Sequence, residues 1–173
     1  MSCPLEKARQ ALPRELPYKD AVYNVSRVGL LPAAMNPVVL AQAAQQGKSG
    51  VAAAPAQDAD TCACSGGTRE SAFADELAAA QAQSNALLFT ATQDKLHQPY
   101  RGALMPPSTE LIALFRSKGY AAAVSGAGPC VLVLHYGNAR EAIDQIASEQ
   151  LASGHWRVLH LPINTAGVEI ERR

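Results

Sequence analysis

The sequence lacks the features that mark membrane, secreted and nucleic-acid-binding proteins. It has no continuous apolar run of about 20 residues, the length that a transmembrane helix needs, and its polar start, MSCPLEKARQ, is unlike a signal peptide. Lys and Arg number 15, and Asp and Glu also number 15, so the chain lacks the basic excess that attracts phosphate groups. We therefore expect a cytoplasmic protein that binds neither nucleic acid nor membrane.

Cysteine is also scarce. The chain has only Cys3, Cys62, Cys64 and Cys130, too few and too unevenly spaced to hold a small secreted domain together, and we expect reduced thiols. One residue separates Cys62 from Cys64 where a CxxC pair has two, and no second cysteine pair accompanies them. The sequence therefore predicts no metal site.

Prolines divide the N-terminal part of the chain into helices. Pro13 and Pro17 break a first short helix, and Asp20 is a candidate cap for the second. Pro32 is expected to end or kink that second helix, since proline disrupts helix interiors. A further helical run is expected over Val38–Gln46.

The second helix has two faces of different character. Val22, Val25 and Gly29 recur at spacings of three and four, and this face is expected to pack inward. Asn24 and Arg27 share another face, because residues three apart are neighbours on a helix. Taken alone, a single arginine on a helix is usually a surface charge.

Residues 47–70 interrupt the regular pattern. The segment, GKSGVAAAPAQDADTCACSGGTRE, shows no hydrophobic periodicity. Such a composition cannot bury enough apolar surface to offset its ordering entropy. We expect a disordered insertion within a single domain that spans residues 1–173.

The remainder alternates helices with short apolar strands. Helices are expected over 71–95, from Pro106 to Gly119, and over 138–151, and strands over 120–124, 130–136, 156–161 and about 168–170. A tight glycine turn joins the first two strands as a hairpin. This order predicts an α+β fold, a two-layer ferredoxin-like sandwich with added N-terminal helices.

The glycine turn is the first candidate for chemistry. Ser125-Gly126-Ala127-Gly128-Pro129 joins two apolar strands, and glycines allow the backbone to approach an anionic group closely. A concave row of backbone N–H groups can hold phosphate. A glycine turn between strands is, however, often no more than a turn.

Charged residues form the other two candidates. Asp94, His97 and Arg101 surround a proline that restricts the local backbone, although a solvated helix end would have the same composition. Arg27, next to Asn24 on the second helix, is the third. Two arginines from separate helices could form a fork for a carboxylate.

Together and in this order, these motifs resemble the C-terminal half of homoserine kinase, a member of the GHMP kinase superfamily. The resemblance covers residues 5–46 and about 85–173 and leaves out the insertion. The matching strings are Ala8-Arg9, Leu12-Pro13, Asp20-Ala21-Val22-Tyr23-Asn24-Val25-Ser26-Arg27, Asp94-Lys95-Leu96-His97-Gln98-Pro99-Tyr100-Arg101 and Ser125-Gly126-Ala127-Gly128-Pro129.

The resemblance implies a function and roles for these residues. Homoserine kinases transfer the γ-phosphate of ATP to the hydroxyl of L-homoserine in threonine biosynthesis, with magnesium. The arginines matching Arg27 and Arg101 bind the substrate carboxylate, and Asn24, Asp94 and His97 are placed in or just behind the substrate pocket. The turn Ser125, Gly126, Ala127 and Gly128 supports the phosphate-binding loop.

One part of the family pattern does not occur in these 173 residues. The ATP-binding loop, Pro-x-x-x-Gly-Leu-Gly-Ser-Ser-Ala, is absent, as are the residues that hold magnesium and the homoserine amine. We therefore expect that Met1 is internal to a longer protein, that the N-terminal ATP-binding domain is missing, and that no catalytic residue lies in this chain. ATP and magnesium belong to the complete enzyme, and the chain alone is expected to be inactive.

Two alternatives remain open. The chain could be a non-catalytic ferredoxin-like module that binds a ligand or a partner protein, with its exposed core covered by an N-terminal kinase domain or by a homo-oligomer. Another GHMP kinase, acting on mevalonate or a sugar, is disfavoured by the pair of carboxylate-binding arginines. Binding of L-homoserine distinguishes these hypotheses.

Overall fold

The computed structural model describes residues 5–35, residues 67–161 and Ile170. The chain divides into two compact units, Met1–Gly137 and Asn138–Arg173. The helix expected over Val38–Gln46, all but the end of the insertion, and the last expected strand except Ile170 lie outside the described residues.

The first unit is mainly helical and contains one β-hairpin. Its elements are α1 (Leu5–Gln10), α2 (Tyr18–Ala34), α3 (Gly67–Ala91), α4 (Gln98–Arg101), a 3-10 turn (Gly102–Leu104), α5 (Pro106–Ser117), β1 (Ala121–Val124) and β2 (Val131–Leu134). No described helix is both long and apolar enough to cross a membrane.

Prolines set the limits of the first two helices, as expected. Helix α1 ends before Pro13, and α2 begins directly after Pro17. The capping role expected of Asp20 is wrong, because Pro17 is the N-cap and Asp20 lies in the first helical turn. Its carboxylate lies 3.8 Å from the Lys95 ammonium. Pro32 lies in the last turn, and the helix ends at Ala34.

The inward face of α2 is the opposite of the one predicted. Val22 and Val25 are 48% and 73% exposed. The face that packs against α3 carries Leu30, Leu31 and Ala34, which join the core around Leu88, Ala91 and Ala121. The polar side chains on this face, described below, have hydrogen-bond partners. This face can therefore pack against α3 without leaving polar groups unpaired, and the valines face outward.

Helix α3 begins at Gly67, so the insertion predicted over 47–70 is wrong at its C-terminal end. The helix supplies Leu88 and Ala91 to the core and ends just before the segment that holds Asp94 and His97. The position of this helix end therefore determines where the charged motif lies.

The expected hairpin is confirmed. Strands β1 and β2 pair antiparallel, with Ala121 opposite Leu134 and Val124 opposite Val131. Helix α5 precedes the hairpin and packs on it. The helix is followed by Gly119 at φ +86°, a conformation that glycine adopts without steric cost.

The second unit has two short helices, α6 (Arg140–Ile146) and α7 (Ser148–Ala152), where one helix was predicted. The strand predicted over 156–161 is wrong, because these residues have no regular secondary structure. A strand needs a hydrogen-bonded neighbour, and within the described residues the sheet contains β1 and β2 alone. The α+β composition is confirmed, whereas the ferredoxin-like sandwich is not.

Ser108 connects α5 to the end of the glycine turn, and removing its hydroxyl tests this packing. The side chain is 2% exposed and donates a 2.6 Å hydrogen bond to the Pro129 carbonyl. We expect Ser108→Ala to lower the free energy of unfolding by about 1–2 kcal/mol, because the partly buried Pro129 carbonyl loses its donor. Urea titration followed by circular dichroism measures the change.

Ser117→Ala is the matched control. Ser117 lies on the same helix, is exposed, and its hydroxyl bonds the Leu114 carbonyl of its own helix. Its replacement is expected to change the free energy of unfolding by less than about 0.5 kcal/mol. Equal losses in the two variants would contradict the role given to Ser108.

Candidate functional site

An open cavity of about 430 Å³ lies within the first unit, where α2, the end of α3, α4 and β1 meet. Its lining includes five of the predicted residues, Asn24, Asp94, His97, Arg101 and Gly126. These come from three separate parts of the chain that were singled out by motif. The structure therefore brings together at least one residue from each of the three predicted groups: the glycine turn, the charged motif and the asparagine–arginine helix.

Asp94 organises the segment that leads into α4. Its Oδ1 atom accepts hydrogen bonds from the Leu96 N–H at 2.9 Å and from the Asn24 amide at 2.6 Å. Its Oδ2 atom accepts from the N–H groups of His97 at 3.0 Å and Gln98 at 2.7 Å. The carboxylate thus satisfies backbone donors that a tight turn would otherwise leave unpaired.

These contacts also decide the ionisation of Asp94. Partial burial works to raise the pKa of this carboxyl, but hydrogen bonds from Asn24, Gln98, Leu96 and His97 outweigh burial and hold its pKa below the ordinary value of 3.8. Asp94 is therefore ionised at neutral pH. Both oxygens of Asp94 already accept hydrogen bonds from the chain itself. The main role of this carboxylate is therefore to hold the site in shape rather than to bind a ligand directly.

Asn24 connects α2 to this segment across 70 positions of sequence. Its Nδ2 donates to Asp94, and its Oδ1 accepts the Lys95 N–H at 2.8 Å. Both ends of the amide are therefore paired. The neighbouring Tyr23 hydroxyl donates to the Gln93 side-chain carbonyl. These contacts set the position of α2 relative to residues 93–95.

The two arginines occupy different surroundings. Arg101 lines the cavity, and its Nε donates a 3.1 Å hydrogen bond to the Ala8 carbonyl, which anchors the guanidinium while its two terminal nitrogens make no hydrogen bond within the described residues. Arg27 lies over the Tyr23 ring, 4.4 Å from the ring centroid, and is not part of the cavity lining. A fork made by both arginines therefore stays a prediction.

His97 lies at the cavity edge. Its ring is 52% exposed, and Nδ1 lies 3.3 Å from Oδ1 of Asp94. This contact orients the ring. The imidazole therefore has one nitrogen directed to Asp94 and can present the other to solvent or to a ligand.

The glycine turn reaches the same cavity through Gly126. Ser125 donates its N–H to the Cys130 carbonyl at 2.8 Å, and the Gly128 N–H donates to the Ser125 carbonyl at 3.2 Å. Within the described part of the chain, the N–H groups of Gly126 and Ala127 make no hydrogen bond. Both glycines have positive φ, and a Cβ on Gly128 would lie 2.5 Å from the Met105 sulfur.

Three residues of this region are not indicated by the sequence patterns. Tyr23 and Gln93 lie inside or beside the quoted motifs, but nothing in their spacing predicts that they meet. Arg116 donates to the Phe89 carbonyl at 2.6 Å and the Ala122 carbonyl at 2.9 Å, and burial lowers its pKa. It braces the end of α3 against β1, a role that sequence alone does not signal.

The side chains of this region do not form a cation site. Among residues 5–35 and 67–161, no three His, Cys, Asp or Glu side chains cluster closely enough to hold a metal ion. The Asp94 oxygens are already occupied by N–H donors. These residues do not fit a magnesium site.

Comparison with known proteins identifies relatives. Residues 71–152 match the family described as GHMP kinases C terminal. A homoserine kinase of Clavibacter michiganensis is 32% identical over 166 residues, or 95% of this chain, and one of Leifsonia xyli is 33% identical over 167 residues. One of Corynebacterium aurimucosum is 45% identical over 86 residues, half of this chain.

These matches confirm the resemblance that the motifs predicted. The chain spans 37% of the length of the Clavibacter and Leifsonia proteins and 26% of the Corynebacterium protein. It corresponds to the C-terminal portion of these relatives.

Proposed function

Since the chain carries a GHMP kinase C-terminal domain at residues 71–152, we propose that it is the substrate-binding portion of a homoserine kinase, an ATP-dependent cytoplasmic enzyme of threonine biosynthesis. One observation carries the proposal. The Asn24–Asp94 pair, Arg101 and Gly126 line one cavity, although they are distant in sequence.

The proposed ligand is L-homoserine, held by its carboxylate. Arg101 lines the cavity, its terminal N–H groups have no acceptor among the described residues, and planar guanidinium groups suit carboxylates. Arg27 is proposed as the second carboxylate ligand. Its Nε has no hydrogen-bond acceptor among the described residues, so this donor is not committed to another group there.

Phosphoryl transfer additionally needs ATP and magnesium, which we propose are bound by another part of the complete enzyme. Catalysis of this reaction depends on positioning and on stabilising charge around the γ-phosphate. The N–H groups of Gly126 and Ala127, which have no acceptor within the part of the chain that the structure describes, support a role for this turn beside the phosphate-binding loop.

The isolated chain is expected to be inactive. The purified 173-residue polypeptide, mixed with ATP, magnesium and L-homoserine, should release no ADP above a protein-free control. Phosphohomoserine formation by this chain alone would overturn that expectation. An unfolded chain would also form no phosphohomoserine, so the binding experiment is carried out on the same preparation.

The binding experiment is an NMR titration of the full chain with L-homoserine. We expect weak, saturable shifts of amide resonances in residues 93–101 and at Gly126. L-homoserinol, in which a hydroxymethyl group replaces the carboxylate, is the matched ligand and should bind much less tightly. Equal affinity for the two ligands, or no shift with either, would contradict a carboxylate-binding site.

A non-catalytic interaction module is the second candidate. The exposed face of α2, with Val22, Val25 and Val28 at 48%, 73% and 62% exposure, favours it. An N-terminal kinase domain or a second copy of the chain would cover this face. Sedimentation equilibrium shows whether two copies of the chain associate. A non-catalytic interaction module would show no homoserine binding.

A further inference from the structure

Tyr23 lies at the centre of a group of cations beside the proposed site. The Arg27 guanidinium carbon is 4.4 Å from its ring centroid, and the Lys95 ammonium nitrogen is 4.2 Å from the same centroid. The ring is also fixed at its far end, because its hydroxyl donates to the Gln93 side chain. Gln93 itself lines the cavity.

The contact with Tyr23 leaves the hydrogen-bonding capacity of Arg27 unused. A cation–π contact attracts the charge of a guanidinium to the ring but supplies no conventional acceptor for its N–H groups. Within the described ranges, none of these N–H groups has a hydrogen-bond acceptor, and Nε is buried. An arginine held in one orientation with unpaired donors is prepared for an anionic group.

From this geometry we infer that Tyr23 is a positioning residue, whose ring orients Arg27 for the carboxylate of the substrate. The inference rests on the proposed function. Tyr23 and Arg27 are one helical turn apart on α2, so the ring and the guanidinium share one face. The Tyr23 hydroxyl makes a separate contact with Gln93, which the proposed role of the ring does not require.

Three substitutions distinguish the effect of the ring on affinity from the effects of the hydroxyl and of a general loss of stability. Tyr23→Leu removes the ring, and we expect roughly 3- to 30-fold weaker L-homoserine binding. Tyr23→Phe keeps the ring, and affinity should stay within about twofold of the unsubstituted chain. Tyr18→Leu is the matched control, because Tyr18 lies on the same helix and is 85% exposed.

A double-mutant cycle distinguishes positioning from a merely structural role. In an Arg27→Ala background, Tyr23→Leu should cause no further loss of affinity, because the group that it orients is absent. The same loss in both backgrounds would overturn the inference. Thermal unfolding of each variant shows that the chain remains folded at the temperature of the titration.

A ligand-free measurement keeps this inference separate from the proposed function. NMR relaxation of the Arg27 Nε–Hε group should show an ordered side chain in the unsubstituted chain and in Tyr23→Phe, and a mobile one in Tyr23→Leu. An unchanged Arg27 in Tyr23→Leu overturns the inference, whether or not homoserine binds. An ordered, Tyr23-dependent Arg27 in a chain that binds no homoserine overturns the proposed function alone.

Discussion

Replacing Arg101 by alanine is expected to weaken L-homoserine binding by roughly 10- to 100-fold. Hydrogen bonds to a charged group contribute about 1.5–3 kcal/mol, and about 1.4 kcal/mol corresponds to a factor of ten. Arg101 lines the cavity, and among the described residues only its Nε is engaged, by the Ala8 carbonyl. In the complete enzyme the same change should raise the KM for homoserine.

Two further variants test whether the loss of affinity is specific to the guanidinium of Arg101. Arg101→Lys keeps the charge but loses the planar fork, so it should recover only part of the affinity. Arg14→Ala removes an exposed arginine outside the cavity and should leave affinity unchanged. If Arg101→Ala bound homoserine as tightly as the unsubstituted chain, Arg101 would have to be removed from the site.

Replacing Asp94 by alanine should cause the largest loss of stability. Four donors would lose their common acceptor, the Asn24 amide and the N–H groups of Leu96, His97 and Gln98. We expect the free energy of unfolding to fall by about 2–3 kcal/mol, since several partly buried donors would lose their acceptor at once. Urea titration measures the loss, and Asp75→Ala, at an exposed position of α3, is the matched control.

The same carboxylate predicts a pH dependence. Its pKa is lower in the folded chain than the ordinary value of 3.8, so the unfolded chain binds the proton more readily. The contribution of Asp94 is therefore fully present above about pH 4 and declines as the pH falls through the folded-state pKa. The stability difference between the unsubstituted chain and Asp94→Asn should shrink over that range. A difference independent of pH would contradict the role assigned to the charge.

Local pattern was sufficient for much of the fold and of the site. Pro13 and Pro17 predicted the break between α1 and α2, and Gly119 predicted the end of α5, because these residues restrict or permit particular backbone angles. The hairpin was likewise predictable from two apolar runs around a glycine turn. Residue types grouped in short strings also indicated Asp94, His97 and Arg101.

Long-range packing could not be read from those patterns. The valines of α2 have helical spacing, yet the face with Asn24 is the one that packs, because its polar groups find partners 70 residues away. Residues 156–161 have strand composition but pair with no other strand among the described residues. Periodicity predicts that a helix has two faces or that a run of residues suits a strand. Which face packs, and whether the strand finds another strand to pair with, depends on the rest of the chain.

The candidate site divides in the same way. The sequence alone was enough to name the charged motif, the asparagine–arginine helix and the glycine turn, because each is a short string with its own chemistry. The meeting of Asn24, Arg101 and Gly126 in one cavity required the folded chain, as did the contact of Arg27 with the Tyr23 ring and the bracing role of Arg116. These contacts join residues far apart in sequence, and no local rule determines which distant side chains will become neighbours.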